Sequence, residues 1–260
     1  MFLFHLPFCA LLRQEETAGN QYRQAEDADQ LSAQALVPLG KGADALIPFW
    51  RRLKRSKAII EAVARGTLPL DIRAVISNRP QATGLQWATQ AGIPTTVIDH
   101  TQYEDRHAFD QALQACIDHY QPGLVILAGF MRILSVDFVA HYHGRMLNIH
   151  PSLLPDFPGL STHQRALDAG CEVHGASVHF VTADVDGGPV VLQARVPVHP
   201  RDTADSLAKR VLEQEHRLYP LAIRWFAERR LTLGENGQAL LDGAMLTEPR
   251  QLSATAGEPC

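Results

Sequence analysis

An α/β fold is predicted for this 260-residue chain, with a mostly parallel sheet, helices on both faces and an antiparallel C-terminal hairpin. Three features predict it. Short apolar runs of strand length alternate with amphipathic segments from about residue 70. Those runs are apolar at successive positions, as strands covered on both faces must be. Near the C-terminal end, two β-rich runs flank one turn-rich stretch, which reads as a hairpin with a long loop. The whole is Rossmann-like.

Each element follows from local chemistry. Residues 71–77 (DIRAVIS) form the first clear strand, ended by Asn78-Arg79-Pro80. Thr83–Ala91 reads as a short helix that Gly92-Ile93-Pro94 breaks before the strand TTVID. From His107 to Tyr120 the chain is amphipathic, with Phe109, Leu113, Cys116 and Ile117 on one helical face. Pro122-Gly123 then gives way to the strand LVILA. Ser135 suits an N-cap for the brief helix SVDFVAHY, and the next strand is Arg145–Ile149. Thr162–Ala169 can be helical, the hairpin strands are Ala176–Val181 and Val190–Val198, and a long helix runs from a cap at Asp202 or Thr203 to Ala227.

The ends fit this pattern less well. Residues 1–42 are expected to be disordered or a non-native extension, since residues 13–36 are rich in Gln, Glu and Ala with little to bury. Residues 43–233 carry the domain, with 43–57 aberrant, and 234–260 are expected to be a loose tail.

Composition narrows the function. At 46% hydrophobic and 20% charged residues, this is the make-up of a soluble globular protein. A net charge of -4 gives no reason to expect nucleic acid or an anionic membrane as partner. The four cysteines are scattered without metal-ligand spacing, so no metal is expected and a reducing, cytoplasmic setting is the default. The opening MFLFHLPFCALL is apolar but short, lacking the basic start of a secretory signal.

Candidate chemistry gathers at RMLNIHPSLLPDFPGL, residues 145–160. Reactive groups of parallel sheets collect beyond the carboxyl ends of strands, and Asn148 and His150 stand at such an end. Pro151, Pro155 and Pro158 stiffen the loop beyond them. A lone histidine here more often caps a strand than does chemistry, but Asp186 lies in the loop VDGGP between the hairpin strands. A carboxylate against an imidazole favours its protonated form and is expected to raise the His150 pKa. Gly187 and Gly188 are expected to supply unusual backbone geometry. With an Asn148 amide, the trio suits acyl-type transfer, in which an oxygen becomes negative. With neither a GxSxG elbow nor a partnered cysteine, direct transfer between two bound substrates fits better than a covalent intermediate.

These motifs resemble the formyltransferase family that uses 10-formyltetrahydrofolate. LAGFMRIL stands at Leu127–Leu134, NIHPSLLP at Asn148–Pro155, then FPGL, TH, HGxSVHFV at His174–Val181, DGGP at Asp186–Pro189 and QEHxxYP at Gln214–Pro220. The likeness spans roughly residues 58–233. It implies formyl transfer from 10-formyltetrahydrofolate, as donor co-substrate, to the amine of a glycinamide ribonucleotide. Asn148, His150 and Asp186 match the catalytic trio: His150 as general acid, Asp186 tuning it and ordering a water, and Asn148 bonding the formyl oxygen. Met131, Arg132, Ile133 and Leu134 match the segment lining the pterin pocket; without the resemblance they read as a strand end packed in the core. Arg106 matches a position near the folate tail. Glu215 matches a carboxylate that meets the acceptor amine; read alone it is an exposed helix residue.

Methionyl-tRNA formyltransferase and formyltetrahydrofolate deformylase share parts of the pattern. Pro158-Gly159-Leu160 differs from the Arg-Gly usual in the first, and Pro151-Ser152-Leu153-Leu154 argues against the second. A catalytically impaired homologue is the other alternative. Family members carry a Ser-Gly-x-Gly-Ser-Asn loop that cradles a phosphate, whereas Phe49–Lys57 reads FWRRLKRSK without a glycine. Encoded TTC TGG CGG CGG CTC AAA CGC TCA AAG, the stretch would give Ser-Gly-Gly-Gly-Ser-Asn-Ala-Gln one base later. A local frame error is therefore expected; the rival is a divergent loop in which Arg51, Arg52, Lys54 and Arg55 hold phosphate as point charges.

Overall fold

A computed structural model describes residues 43–49 and 54–252. The expected extension (1–42), residues 50–53 with Arg51 and Arg52, the side chain of Lys54, and residues 253–260 lie outside the described residues.

Strand β1 (Ala43–Phe49) leads into helix α1 (Lys54–Ala64), then β2 (Leu70–Ser77), α2 (Thr83–Gln90) and β3 (Thr95–Val97). After a 3-10 turn come α3 (Arg106–His119), β4 (Leu124–Leu127), α4 (Val136–His141) and β5 (Met146–His150). The second half holds α5 (Thr162–Asp168), β6 (Val173–Phe180), β7 (Val190–Pro197) and α6 (Ala204–Ala227). Strands β8 (Leu231–Leu233), β9 (Ala239–Leu241), β10 (Ala244–Met245) and β11 (Arg250–Gln251) close the order.

The main sheet runs β11-β7-β6-β5-β4-β1-β2-β3. Strands β3, β2, β1, β4 and β5 are parallel, and β6 and β7 join antiparallel. Alternation along each strand sends neighbours to opposite faces. Ala45 and Ile47 of β1, like Leu124 and Ile126 of β4, join the cluster under α1, α2 and α6. Leu46, Val125 and Leu127 join the cluster under α3 and α4. Helices thus cover both faces, as the apolar runs require.

The caps behave as their residues dictate. Ser135 Oγ accepts from the Phe138 N–H at the start of α4. For α6 the cap is Thr203 rather than Asp202, in a reciprocal pair with Ser206. Tyr219 of α6 sets its hydroxyl between the carbonyls of Leu127 (3.1 Å) and Leu147 (2.8 Å), sharing its single hydrogen across two adjacent strands beneath the site.

Residues 43–49, the first strand of the stretch expected to be aberrant, form a central strand, and Leu46 and Ile47 are wholly buried. One expectation about the ends is corrected. The supposed loose tail is ordered through residue 252: β8, β9 and β10 make a small antiparallel sheet, and β11 adds to the edge of β7. Leu231, Ala239 and Leu241 bury in the main core, which gives the segment apolar area to offset its ordering entropy. Those three residues are spread over eleven positions, too sparse for a periodic signal.

Candidate active site

Asn148 and His150 lie two apart on β5, so the pleat aims both to one face. Antiparallel pairing sets Asn148 opposite His179 of β6, with Asn148 Nδ2 3.2 Å from His179 Nε2. Nδ1 of His179 lies 2.9 Å from the Phe180 carbonyl, which can only accept. Nδ1 therefore carries a hydrogen, and in that tautomer Nε2 is the acceptor for the Asn148 amide. The amide keeps a second N–H for the cavity.

Asp186 reaches the same place from the β6–β7 loop. Its Oδ2 stands 3.2 Å from His150 Nδ1 and accepts from the Gly159 N–H at 2.8 Å; its Oδ1 is 3.6 Å from His179 Nε2. One carboxylate thus ties the loop after β5 to the hairpin loop. The expectation for the glycines needs correcting: the left-handed residue is Asp186 itself, at φ 52°, while Gly187 and Gly188 keep ordinary φ. What Gly188 supplies is absence of bulk, because a Cβ there would lie 1.9 Å from the Phe180 carbonyl oxygen.

The loop after His150 is held by more than prolines. Leu154 N–H donates to Ser177 Oγ at 3.0 Å, Ser177 Oγ donates to the Ser152 carbonyl at 2.7 Å, and Gln193 Nε2 donates to the Leu154 carbonyl at 2.9 Å. That anchoring sets the Phe157 carbonyl 2.9 Å from His150 Nε2.

The electrostatics overturn one expectation. Burial pushes the His150 pKa below the ordinary histidine value; Asp186 and the Phe157 carbonyl oppose it, and burial prevails. Both ring nitrogens face oxygens that only accept, so a second proton has its partners arranged in advance. Burial also works against the charge of Asp186, but the imidazoles of His179 and His150 and the Gly159 N–H outweigh it and hold the carboxyl below its usual range.

The three residues open on a cavity of about 380 Å³. Met131, Arg132, Ile133 and Leu134 line one wall, and the loop from Val181 to Asp186 lines another. The LAGFMRIL segment is a strand only to Leu127; beyond it the chain is loop. Met131 (49%) and Ile133 (55%) hold apolar side chains exposed there, while Leu134 packs inward and the Arg132 guanidinium lies over the Phe109 ring, so a buried strand end does not describe the segment. Arg106 is the exposed first residue of α3 and does not line this cavity. Glu215, read alone as an exposed helix residue, is 1% exposed and pairs with Arg55. That removes Arg55 from the cations proposed to hold phosphate.

His179, Gly159 and Phe157 stand within recognisable motifs, yet their sequence assigned them no part in the site. Ser177 and His179, polar at alternate positions of an apolar strand, were the available signal for one of them. No pattern pointed to a backbone N–H or carbonyl. Among the described residues, no cluster of three or more His, Cys, Asp or Glu side chains could hold a metal. No described helix is long and apolar enough to cross a membrane.

A neutral imidazole beside a fixed carboxylate, a free amide N–H and an apolar-walled cavity at the carboxyl ends of a parallel sheet define a group transferase of the acyl-transfer type. The comparisons agree. A family model described as formyl transferase matches residues 52–223. The chain is 54% identical over 190 residues to phosphoribosylglycinamide formyltransferase of Escherichia coli (strain K12), covering 73% of this chain and 89% of that protein. The Haemophilus influenzae enzyme of the same name is 45% identical over the same shares. The solved structure of phosphoribosylglycinamide formyltransferase from Coxiella burnetii is 49% identical, with a TM-score of 0.75 over 79% of this chain and 96% of that one. The chain belongs to the formyl transferase family.

Proposed function

We propose that this chain transfers a formyl group from 10-formyltetrahydrofolate to the amine of 5'-phosphoribosylglycinamide, the step of purine synthesis for which its relatives are named. The observation that carries the reading is Asp186 set against His150 at the mouth of a cavity with apolar walls. A pterin ring needs such walls with a few fixed polar groups. Met131, Ile133 and Leu134 would supply them, with Arg132 beside them, and Arg106 would serve only the outer folate tail.

The amine lone pair attacks the formyl carbon, and the carbonyl electrons move onto its oxygen. The second Asn148 N–H meets that developing charge, and so does the imidazole once its Nε2 turns from the Phe157 carbonyl, with Nδ1 kept on Asp186. A new anion beside His150, added to Asp186, favours the imidazolium, so the ring's proton affinity rises as the oxyanion forms. His150 can then take the proton of the attacking amine and pass it to the folate nitrogen as the carbon–nitrogen bond breaks. In this reading His150 rests neutral, its pKa lowered by burial, and becomes the acid during transfer.

Formylation assayed with purified protein and both substrates tests the reading. Formyl-product formation with loss of the folate's formyl group is expected. Release of formate without transfer would favour a deformylase instead, and neither product at saturating acceptor would sink both.

A further inference from the structure

Four polar residues stand in one register row across the main sheet. His150 of β5 lies opposite Ser177 of β6, Ser177 opposite Gln193 of β7, and Gln193 opposite Gln251 of β11. Residues opposite each other share a face of a pleated sheet, so the row runs from the exposed edge to the His150 imidazole. Gln251 is exposed, Gln193 is 7% exposed and Ser177 is wholly buried.

Gln193 interrupts an apolar strand, for Val191, Leu192 and Ala194 beside it belong to the core. An amide there must be desolvated, and apolar groups of the same shape in place of the paired polar ones would cost little stability. Its bonds serve the loop after His150 instead. Gln193 Nε2 donates to the Leu154 carbonyl and to Ser177 Oγ, both at 2.9 Å. The carbonyl can only accept, so the amide NH2 faces inward and Oε1 faces β11. There Gln251 Nε2 donates to Oε1 at 3.3 Å, and the Leu252 N–H donates to the Gln193 carbonyl at 2.7 Å.

The inner end of the row is as fully committed. Leu154 N–H and Gln193 Nε2 both point at Ser177 Oγ, which spends its own hydrogen on the Ser152 carbonyl. Ser152 Oγ in turn donates to the Asp156 carbonyl at 2.6 Å. The loop so held makes two contacts with the His150–Asp186 pair, through the Phe157 carbonyl and the Gly159 N–H. Small shifts of this loop therefore reach the chemistry.

We propose that Gln193 is a positioning residue for formyl transfer and that edge strand β11, which does not line the cavity, is its outer clamp. The edge strand fixes the Gln193 amide, and the amide fixes the loop that meets His150 and Asp186. The inference rests on the formyl-transfer reading for its kinetics.

Gln193→Met tests it by keeping the length of the side chain and removing its N–H donors. Its kcat is expected to fall about tenfold, the scale of one to two neutral hydrogen bonds, with the KM of each substrate within about twofold. Leu252→Pro, the second variant in case the first fails to fold, removes the N–H that docks β11 and leaves Gln193 intact. Its kcat should fall about two- to threefold. A merely structural role would lower the melting temperature and leave the kcat of folded protein unchanged.

Titration of the His150 ring, followed by NMR, reads the same effect without turnover. Burial is the largest influence on that ring, so a loosened loop that admits water should move its pKa up toward the ordinary value in both variants. Asp186, His179, His174 and Arg55 are the charged or titratable groups coupled to it, and neither variant alters them. Parent kcat and parent His150 titration in Gln193→Met would overturn the positioning role, and parent values in Leu252→Pro would overturn the clamp. If no chain forms formyl product, the formyl-transfer reading fails, while the His150 titration still decides whether Gln193 holds the loop.

Discussion

Asp186 Oδ2 bridges the His150 imidazole (3.2 Å) and the Gly159 N–H (2.8 Å), so one oxygen both tunes the ring and joins the two loops around it. Asp186→Asn keeps the shape and removes the charge that favours imidazolium. Turnover at saturating substrates should fall about 10²–10³-fold, the range for losing one electrostatic contribution of this kind, with the circular dichroism spectrum unchanged. His150→Ala should cost at least as much. Near-full turnover in either variant would remove the pair from the mechanism.

Stability should depend on pH through the buried histidines. Burial lowers the pKa of His150 and of His174, so the unfolded chain binds protons more readily than the folded one below the ordinary histidine value near 6.5. Their contribution is complete above that value and is lost as pH falls through the depressed folded values. Urea unfolding should show stability dropping as pH falls below about 6.5, by up to about 1.4 kcal/mol per pH unit for each histidine. His174→Gln should flatten the slope, and an equal slope in that variant would assign it elsewhere.

The fold was legible because its signals are local and repeated. Strand runs apolar at successive positions fixed a doubly covered sheet, and the turn-rich 182–189 fixed the hairpin. That Asn148, His150 and Asp186 lie together was suggested by residue type and flanking loops and singled out by the motif resemblance. The direction of the His150 shift was not, because it depends on how much water the fold excludes, and pairing alone suggested the opposite sign. Nor was the Arg55–Glu215 pair, which joins residues 160 positions apart across two helices with no local pattern. Residues 234–252 misled because their few buried side chains have no period, although they fill a real gap beside the core.

Gly188→Ala should be harmful although it changes no functional group. The new methyl would lie 1.9 Å from the Phe180 carbonyl oxygen, backbone held by the Phe180 N–H bond to the Pro189 carbonyl and by pairing with Leu147 of β5. A loss of about 2–4 kcal/mol is expected in chemical denaturation, together with reduced turnover, because Asp186 sits two residues away on the same loop. A loss under about 0.5 kcal/mol would show that the turn has room to relax.

Tyr219→Phe separates scaffold from chemistry. The hydroxyl bonds two buried carbonyls, Leu127 and Leu147, directly beneath the site. Its loss should cost about 1–3 kcal/mol of stability, with turnover changed far less than in Asp186→Asn. A fall in turnover as large as that of Asp186→Asn would mean the hydroxyl does more than fasten β4 to β5.

The stretch from Phe49 to Lys57 carries a prediction about the gene itself. Lys54–Ala64 is helical after a central strand, the strand–loop–helix order that a glycine-rich phosphate loop uses. Yet residues 49–57 contain no glycine, and Arg55 is spent on Glu215 rather than on an anion. Trp50 has the single codon TGG, which limits what the coding DNA can be. We propose a local frame error, so the coding strand should read Ser-Gly-Gly-Gly-Ser-Asn-Ala-Gln, or a close variant, one base later and join the present frame at Ala58. The polypeptide as it stands should then bind glycinamide ribonucleotide poorly while keeping its folate side, and a chain rebuilt with that loop should recover acceptor binding. DNA whose shifted frames cannot encode a glycine-rich loop would end the idea. The stretch would then be a true divergence, with Arg51 and Arg52 left as the residues to test against phosphate.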